Sequence, residues 1–255
     1  MIIAIANQKG GVGKTTTAIN LGGYLAQKGR RVLLVDMDPQ GNAATCLGIE
    51  KRELEQTVSE VLLGEASAEA AIVQTGRSGL DLLAATPDLA GTSVAMVPMM
   101  ARETRLTKAL ASVVDRYDII LIDCPPSLGL LTINGLTAAD RVLIPLQCEF
   151  LALEGLAQLK ETIDLVRSQL NSRLQIGGVV MTMYDGRANL ARQVVEEVRR
   201  YFPQRIFNTL IPRNIRLSEA PSHGELISEY DPQSRGAKAY AALSEELLQR
   251  EESGA

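Results

Sequence analysis

The 255-residue chain predicts a doubly wound α/β fold, a mostly parallel sheet with helices on both faces. Three observations carry that expectation. Apolar runs alternate with helix-compatible segments along the whole chain. Runs such as Ile119-Ile120-Leu121-Ile122 and Val142-Leu143-Ile144 are unbroken, as in strands covered on both faces. A glycine-rich turn joins the first apolar run to the first helix. With 46% hydrophobic residues, 4% aromatics and no Trp, the core must be aliphatic. The length suffices for one continuous core, and no linker, repeat or low-complexity stretch divides the chain, so residues 1–255 are expected to form a single domain.

The first strand is Ile2-Ile3-Ala4-Ile5-Ala6, followed by Gln8-Lys9-Gly10-Gly11-Val12-Gly13-Lys14-Thr15-Thr16. A helix is expected from Lys14 to Gln27, closed by Gly29, and then a strand over Arg31–Asp36. Residues 50–74 read as short helices, 80–85 as a strand, 100–117 as a helix, and 119–122 as a strand ending at Asp123. Beyond it, helices are expected over 129–139, 153–170, 189–201 and 234–250, with strands over 141–146, 176–183 and 208–211. The last five residues look frayed.

The first turn has the context of a phosphate-binding loop. Its glycines let successive N–H groups converge on a phosphate, the helix adds its positive dipole end, Lys14 supplies a cation, and Thr15 offers a hydroxyl to Mg²⁺. The usual G-x-x-x-x-G-K-[ST] pattern would place glycine at position 8, where this chain has Gln8, and Lys9 is an additional loop lysine. Asp36, Asp38 and Asp123 fall at carboxyl ends of strands, where ligands sit in such folds.

Composition narrows the partners. A net charge of −4 argues against a generally basic nucleic-acid coat, so a DNA site must be local. Residues 185–216 hold seven arginines, no lysine and three acidic residues. Arginine suits phosphate oxygens, although Arg192, Arg199 and Arg200 fit a solvated helix face equally well. Cys46, Cys124 and Cys148 lack disulfide or zinc spacing, and His223 has no neighbouring Cys or second His. No apolar stretch approaches the roughly 18 residues of a membrane span, and a signal-peptide pattern is missing, so a cytoplasmic protein is expected.

The form Lys-Gly-Gly-Val-Gly-Lys-Thr resembles the deviant Walker A loop of the ParA/MinD ATPases, nearest the chromosomal ParA (Soj) branch. Asp36-Met37-Asp38-Pro39-Gln40-Gly41-Asn42, Ile122-Asp123-Cys124-Pro125-Pro126-Ser127 and Ile211-Pro212-Arg213-Asn214-Ile215-Arg216 are similar to that family's segments, in its order. The resemblance covers nearly the whole chain. It implies ATP and Mg²⁺ held by Lys9, Gly10, Gly11, Val12, Gly13, Lys14, Thr15 and Thr16, with Thr15 and Asp123 as metal residues. It implies further that Asp38 orients the attacking water, that Pro212 and Asn214 contact adenine, and that Lys9 reaches across a nucleotide-sandwich homodimer to the partner's phosphates. Arg187 and Arg216 match the branch's positions for non-specific DNA binding. The function so implied is a partition ATPase for a chromosome or plasmid, nucleoid-associated and stimulated by a ParB-type partner, with slow turnover without it.

Two other classes share the fold. A MinD-like membrane regulator would need a basic amphipathic tail, whereas the last helix carries Glu245, Glu246, Glu251 and Glu252 around Tyr240, Leu243 and Leu247. An iron–sulfur-linked NTPase would need further cysteines beside Cys124 at a dimer face.

Overall fold

The structure, a computed structural model, describes residues 1–149 and 152–253. Its centre is a seven-stranded sheet: β1 (Ile2–Ile5), β2 (Val32–Asp36), β3 (Ile72–Arg77), β4 (Leu80–Leu83), β5 (Ile119–Asp123), β6 (Arg141–Gln147) and β7 (Gln175–Thr182). The spatial order is β3-β4-β2-β5-β1-β6-β7. Every pair is parallel except β3 with β4.

Side chains alternate across a strand, so each unbroken apolar run feeds two cores. Val32 and Leu34 join Ile3, Ile5 and Leu121 on one face, where the helices Lys14–Gln27 and Arg235–Glu252 cover them with Leu21, Leu25, Tyr240 and Leu243. Leu33 and Val35 join Ala4 and Ile122 on the other face. There the helices Val58–Leu63, Arg105–Leu110, Leu130–Ala138, Ala152–Gln169 and Asn189–Tyr201 cover the sheet. The doubly wound architecture is thus present, with both faces closed.

Four local expectations are corrected. Of residues 72–77, the first three fall in the stretch expected to be helical, yet all six form β3. Gly76 near the end of β3 and Gly79 in the connection take φ of 76° and 78°, and the Thr75 hydroxyl donates to Leu80 O at 2.7 Å, which folds the segment back as an antiparallel edge. The helix expected over 100–117 is broken into a 3₁₀ turn at Arg102–Thr104, a short helix and a second 3₁₀ turn at Val114–Arg116. At the first break the Asn134 amide donates to Arg102 O at 2.8 Å and accepts from Leu106 N at 3.1 Å, taking over backbone groups.

Residues 208–211 form no strand. Asn208 N and Thr209 N donate instead to the Glu246 carboxylate at 2.8 and 2.9 Å, leaving only isolated bridges at Val179–Ile206 and Tyr184–Pro212. The last helix also runs on to Glu252, with Glu251 paired to Arg141 at 2.9 Å, so the expected fraying at 251–252 gives way to a tied end. Gly254 and Ala255 lie outside the described residues.

Candidate phosphate-binding site

β1 lies between β5 and β6, and its register sets Ile5 opposite Asp123, while β2 sets Asp36 opposite Asp123. The loop after β1 therefore opens directly over two strand-end carboxylates. Gly11 and Gly13 have φ of 73° and 90°, a region side-chain-bearing residues rarely adopt. Gly13 caps the first helix without any side-chain hydrogen bond, so the N–H groups of the first turn stay available to a ligand.

Side chains from distant segments brace this loop. The Asn7 amide donates to Pro145 O at 2.7 Å and its oxygen accepts Lys9 N at 3.0 Å. The Thr182 hydroxyl donates to Val12 O at 2.9 Å. Asn20 donates to Thr16 O and accepts Ile227 N, both at 2.9 Å, and the Thr17 hydroxyl lies 3.2 Å from the Tyr240 hydroxyl. Sequence reasoning does not find Asn20, Thr182 and Tyr240. No local pattern marks them, because each acts across a long stretch of chain.

Lys14 is buried and donates to Lys9 O at 3.1 Å. Burial lowers its pKa, opposed by the charges of Asp123 and Asp38. The Thr15 hydroxyl donates to Asp123 Oδ2 at 2.6 Å, while Asp123 Oδ1 is buried with no hydrogen-bond partner among the described residues. Desolvation, with Asp36 nearby, pushes the Asp123 carboxyl well above the carboxylate range. Asp36 is pushed up to about 7, again chiefly by burial. Its two oxygens accept Asp38 N at 2.9 Å and Ala43 N at 3.1 Å, so Asp36 shapes the turn that presents Asp38. Asp38 itself accepts Gln40 N at 3.0 Å.

A cavity of about 160 Å³ adjoins the loop, lined by Val12, Gly13, Thr16, Thr182, Met183, Ile211, Pro212, Arg213, Asn214, Leu217, Ser218 and Tyr240. Pro212 and Asn214 thus face the same space as the loop, and Arg213 lines it too. Lys9 lies on another side of the loop, in contact with Glu149.

The arginine-rich segment is divided in space. Arg187 is 91% exposed and forks onto Asp185 at 2.9 and 2.8 Å. That guanidinium holds the Asp185 carboxyl down at about 2. Arg216 is half-exposed and pairs with Glu219 at 2.9 Å and Asp231 at 3.4 Å. Both lie beyond the carboxyl end of β7. The helix Asn189–Tyr201, roughly 20 Å long at 1.5 Å per residue, carries Arg199 and Arg200 to the opposite end. There Arg199 and Arg205 line a separate cavity of about 660 Å³ with Arg250. Cys124 is fully buried, its thiol 3.9 Å from Ile122 O, and His223 stacks on Tyr230.

Comparison with known proteins agrees with this arrangement. A family profile described as an AAA domain matches residues 1–176. The sporulation initiation inhibitor protein Soj of Bacillus subtilis is 57% identical over 246 residues, covering 96% of this chain and 97% of that one. The chromosome partitioning protein ParA of Myxococcus xanthus is 55% identical over 250 residues, covering 98% and 88%. A solved structure described as cobyrinic acid a,c-diamide synthase from Mycobacterium smegmatis, with bound ATP analogue and magnesium, superposes with a TM-score of 0.88 at 41% identity, covering 100% of this chain and 96% of that one. Nearly full-length identity above half, together with the glycine loop over paired strand-end carboxylates, places the chain in the Soj/ParA family of chromosome-partitioning ATPases.

Proposed function

We propose that residues 1–255 act as one P-loop ATPase domain that serves as a partition switch for a chromosome or plasmid. ATP closes two copies into a homodimer, the closed pair holds double-stranded DNA without regard to sequence, and hydrolysis stimulated by a ParB-type partner releases it. The observation that carries this reading is the meeting of Lys14, Thr15 and Asp123 beneath a loop of free N–H groups.

The orphaned Asp123 Oδ1 beside the Thr15 hydroxyl suits a hard divalent cation. Thr15 and Asp123 would hold Mg²⁺, and no third acidic ligand is needed because such sites draw on phosphate oxygens and water. When bound, the ion neutralises charge on the transferring phosphoryl group. The residues of this chain do the remainder. Lys14 and the N–H groups of Gly10 to Thr16 orient the phosphates, Asp38 positions the attacking water, and Pro212 and Asn214 hold adenine in the adjoining cavity. Lys9 completes the partner's site in trans, as an arginine finger does.

A nucleoid location in the cytoplasm accords with this function. The MinD-like reading has less support, because Tyr240, Leu243 and Leu247 of the last helix are buried on the sheet and offer lipid no free apolar face. Among the described residues, no helix is long and apolar enough to cross a membrane.

Two substitutions test the assignment. Lys14→Ala removes a charge-assisted contact of about 1.5–3 kcal/mol, so ATP affinity measured by calorimetry should fall roughly 10- to 150-fold. Asp38→Ala leaves the cradle intact and should bind ATP and accumulate the dimer, while turnover falls about 100-fold or more. Unchanged affinity in the first variant overturns the role of Lys14, and parental turnover in the second overturns that of Asp38.

A further inference from the structure

The additional loop lysine is held within its own subunit. Lys9 Nζ touches Glu149 Oε2, with the two side chains 41% and 46% exposed, and among the described residues this carboxylate is the partner of its ammonium group. The neighbouring loop residue is tied to the same region. Gln8 Nε2 donates to Gln158 Oε1 at 2.7 Å, and the helix Ala152–Gln169 approaches so closely that a Cβ on Gly155 would lie 3.2 Å from that Gln8 nitrogen. Gln8 and Lys9, the two positions where the loop departs from the ordinary pattern, thus both lean on side chains that follow β6, Gln158 and Glu149.

A lysine bound to Glu149 of its own chain is not available to phosphates in another. We propose that Glu149 is a positioning residue for Lys9, an electrostatic latch that holds the lysine in the single subunit and sets the ATP and protein concentrations at which the dimer closes. The latch rests on the trans role of Lys9 in the partition switch.

Closure exchanges one ion pair for another. Lys9 leaves a carboxylate of charge −1 for a polyphosphate of higher charge, so the exchange is favoured only where a partner presents bound nucleotide. Nothing covalent changes. Without nucleotide the lysine returns to Glu149, and Gln8 on Gln158 keeps the loop in register for that return. A part-exposed pair contributes about 0.2–1 kcal/mol, which holds each lysine back roughly 1.4- to 5-fold. A symmetric dimer breaks two such pairs, so the restraint on association is that factor squared, roughly 2- to 25-fold.

Sedimentation with a slowly hydrolysed ATP analogue tests this on the full chain. Glu149→Gln keeps the shape and removes the charge, and should form the dimer at a 2- to 25-fold lower protein concentration. Its affinity for the analogue as a monomer, read by calorimetry, should match the parent. Because the latch acts only through Lys9, the gain should vanish when Glu149→Gln is combined with Lys9→Gln. If Lys9→Gln alone dimerises normally, the trans role itself fails. If Lys9→Gln loses the dimer while Glu149→Gln dimerises like the parent or more weakly, that role stands and the latch is wrong. A Glu149→Gln gain that persists without Lys9 also overturns the latch.

Discussion

Burial fixes the charge state of the site before any ligand arrives. Asp36 ionises near 3.8 in an unfolded chain but is pushed up to about 7 in the fold, and Asp123 shifts in the same direction. The sign follows from proton counting. Below about pH 4 both states hold the proton and the contribution to stability is fully present. Between the two values the unfolded chain has released a proton that the native state retains, so stability declines as pH rises and the Asp36 contribution is lost above about 7. Asp118 and Asp185, held down at about 2 by Arg31 and Arg187, have finished titrating well below this window. Calorimetric melting of the ligand-free protein should therefore show a falling Tm from pH 5 to 7.5. Asp36→Asn should start lower, because its amide nitrogen cannot accept Ala43 N, and should show a flatter slope. A Tm that rises through this window would contradict the burial argument.

The loop keeps its shape because neighbouring elements hold it, and β7 is one whose packing is close. Thr182 at its end braces Val12, and Gly178 lets the strand pass beneath residues 205–207. A Cβ at Gly178 would lie 2.4 Å from Phe207 Cε2 and 2.7 Å from Arg205 O. Backbone cannot swing aside as a side-chain tip can. Gly178→Ala should therefore destabilise the protein by about 1–3 kcal/mol in urea unfolding, the usual cost of overpacking. By contrast Gly23, whose added Cβ would meet only the Leu226 side chain, should tolerate alanine better. If the two variants unfold alike, the close approach at β7 is not the constraint claimed.

Considered as one object, the protein is acidic, with a net charge of −4, yet is proposed to hold a polyanion. That is possible only if a few arginines act together and the dimer doubles them. Arg187 and Arg216 share the carboxyl end of the sheet with the loop, so closure of the dimer can present four guanidinium groups at once. Each is paired with carboxylates in the single chain, and a phosphate must displace or share them. DNA binding should accordingly require ATP, ignore sequence and fall steeply with salt, by about 0.9 logarithmic units per phosphate contact for each tenfold rise. Arg216→Ala, and more weakly Arg187→Ala, should lower affinity alike on unrelated duplexes and flatten that slope by about 0.9 for each phosphate no longer neutralised. Dimer formation should survive both changes. Parental binding across a salt series, or equal binding without nucleotide, would refute the DNA switch while leaving the ATPase assignment standing.

Local chemistry was enough to write out the loop, the strand-end aspartates and the doubly wound order. The glycines at positions 11 and 13, the Lys14-Thr15 pair and the unbroken runs of β2, β5 and β6 act within a few residues of themselves, and such constraints are visible in a linear string. Long-range competition decided the rest. Residues 72–77 became a strand because β4 offered an edge, the helix expected over 100–117 broke where Asn134 claimed its backbone groups, and 208–211 lost its ladder to Glu246. The charge of the seven arginines left patch and solvated helix face equally open for Arg199 and Arg200, and the helix Asn189–Tyr201 carries those two to the far end. Lys9 was legible as an oddity, but its contact with Glu149 was not, since 140 residues separate them. Sequence spacing encodes what neighbours along the chain can do. Only the packed sheet decides which distant carboxylate, amide or hydroxyl reaches them first.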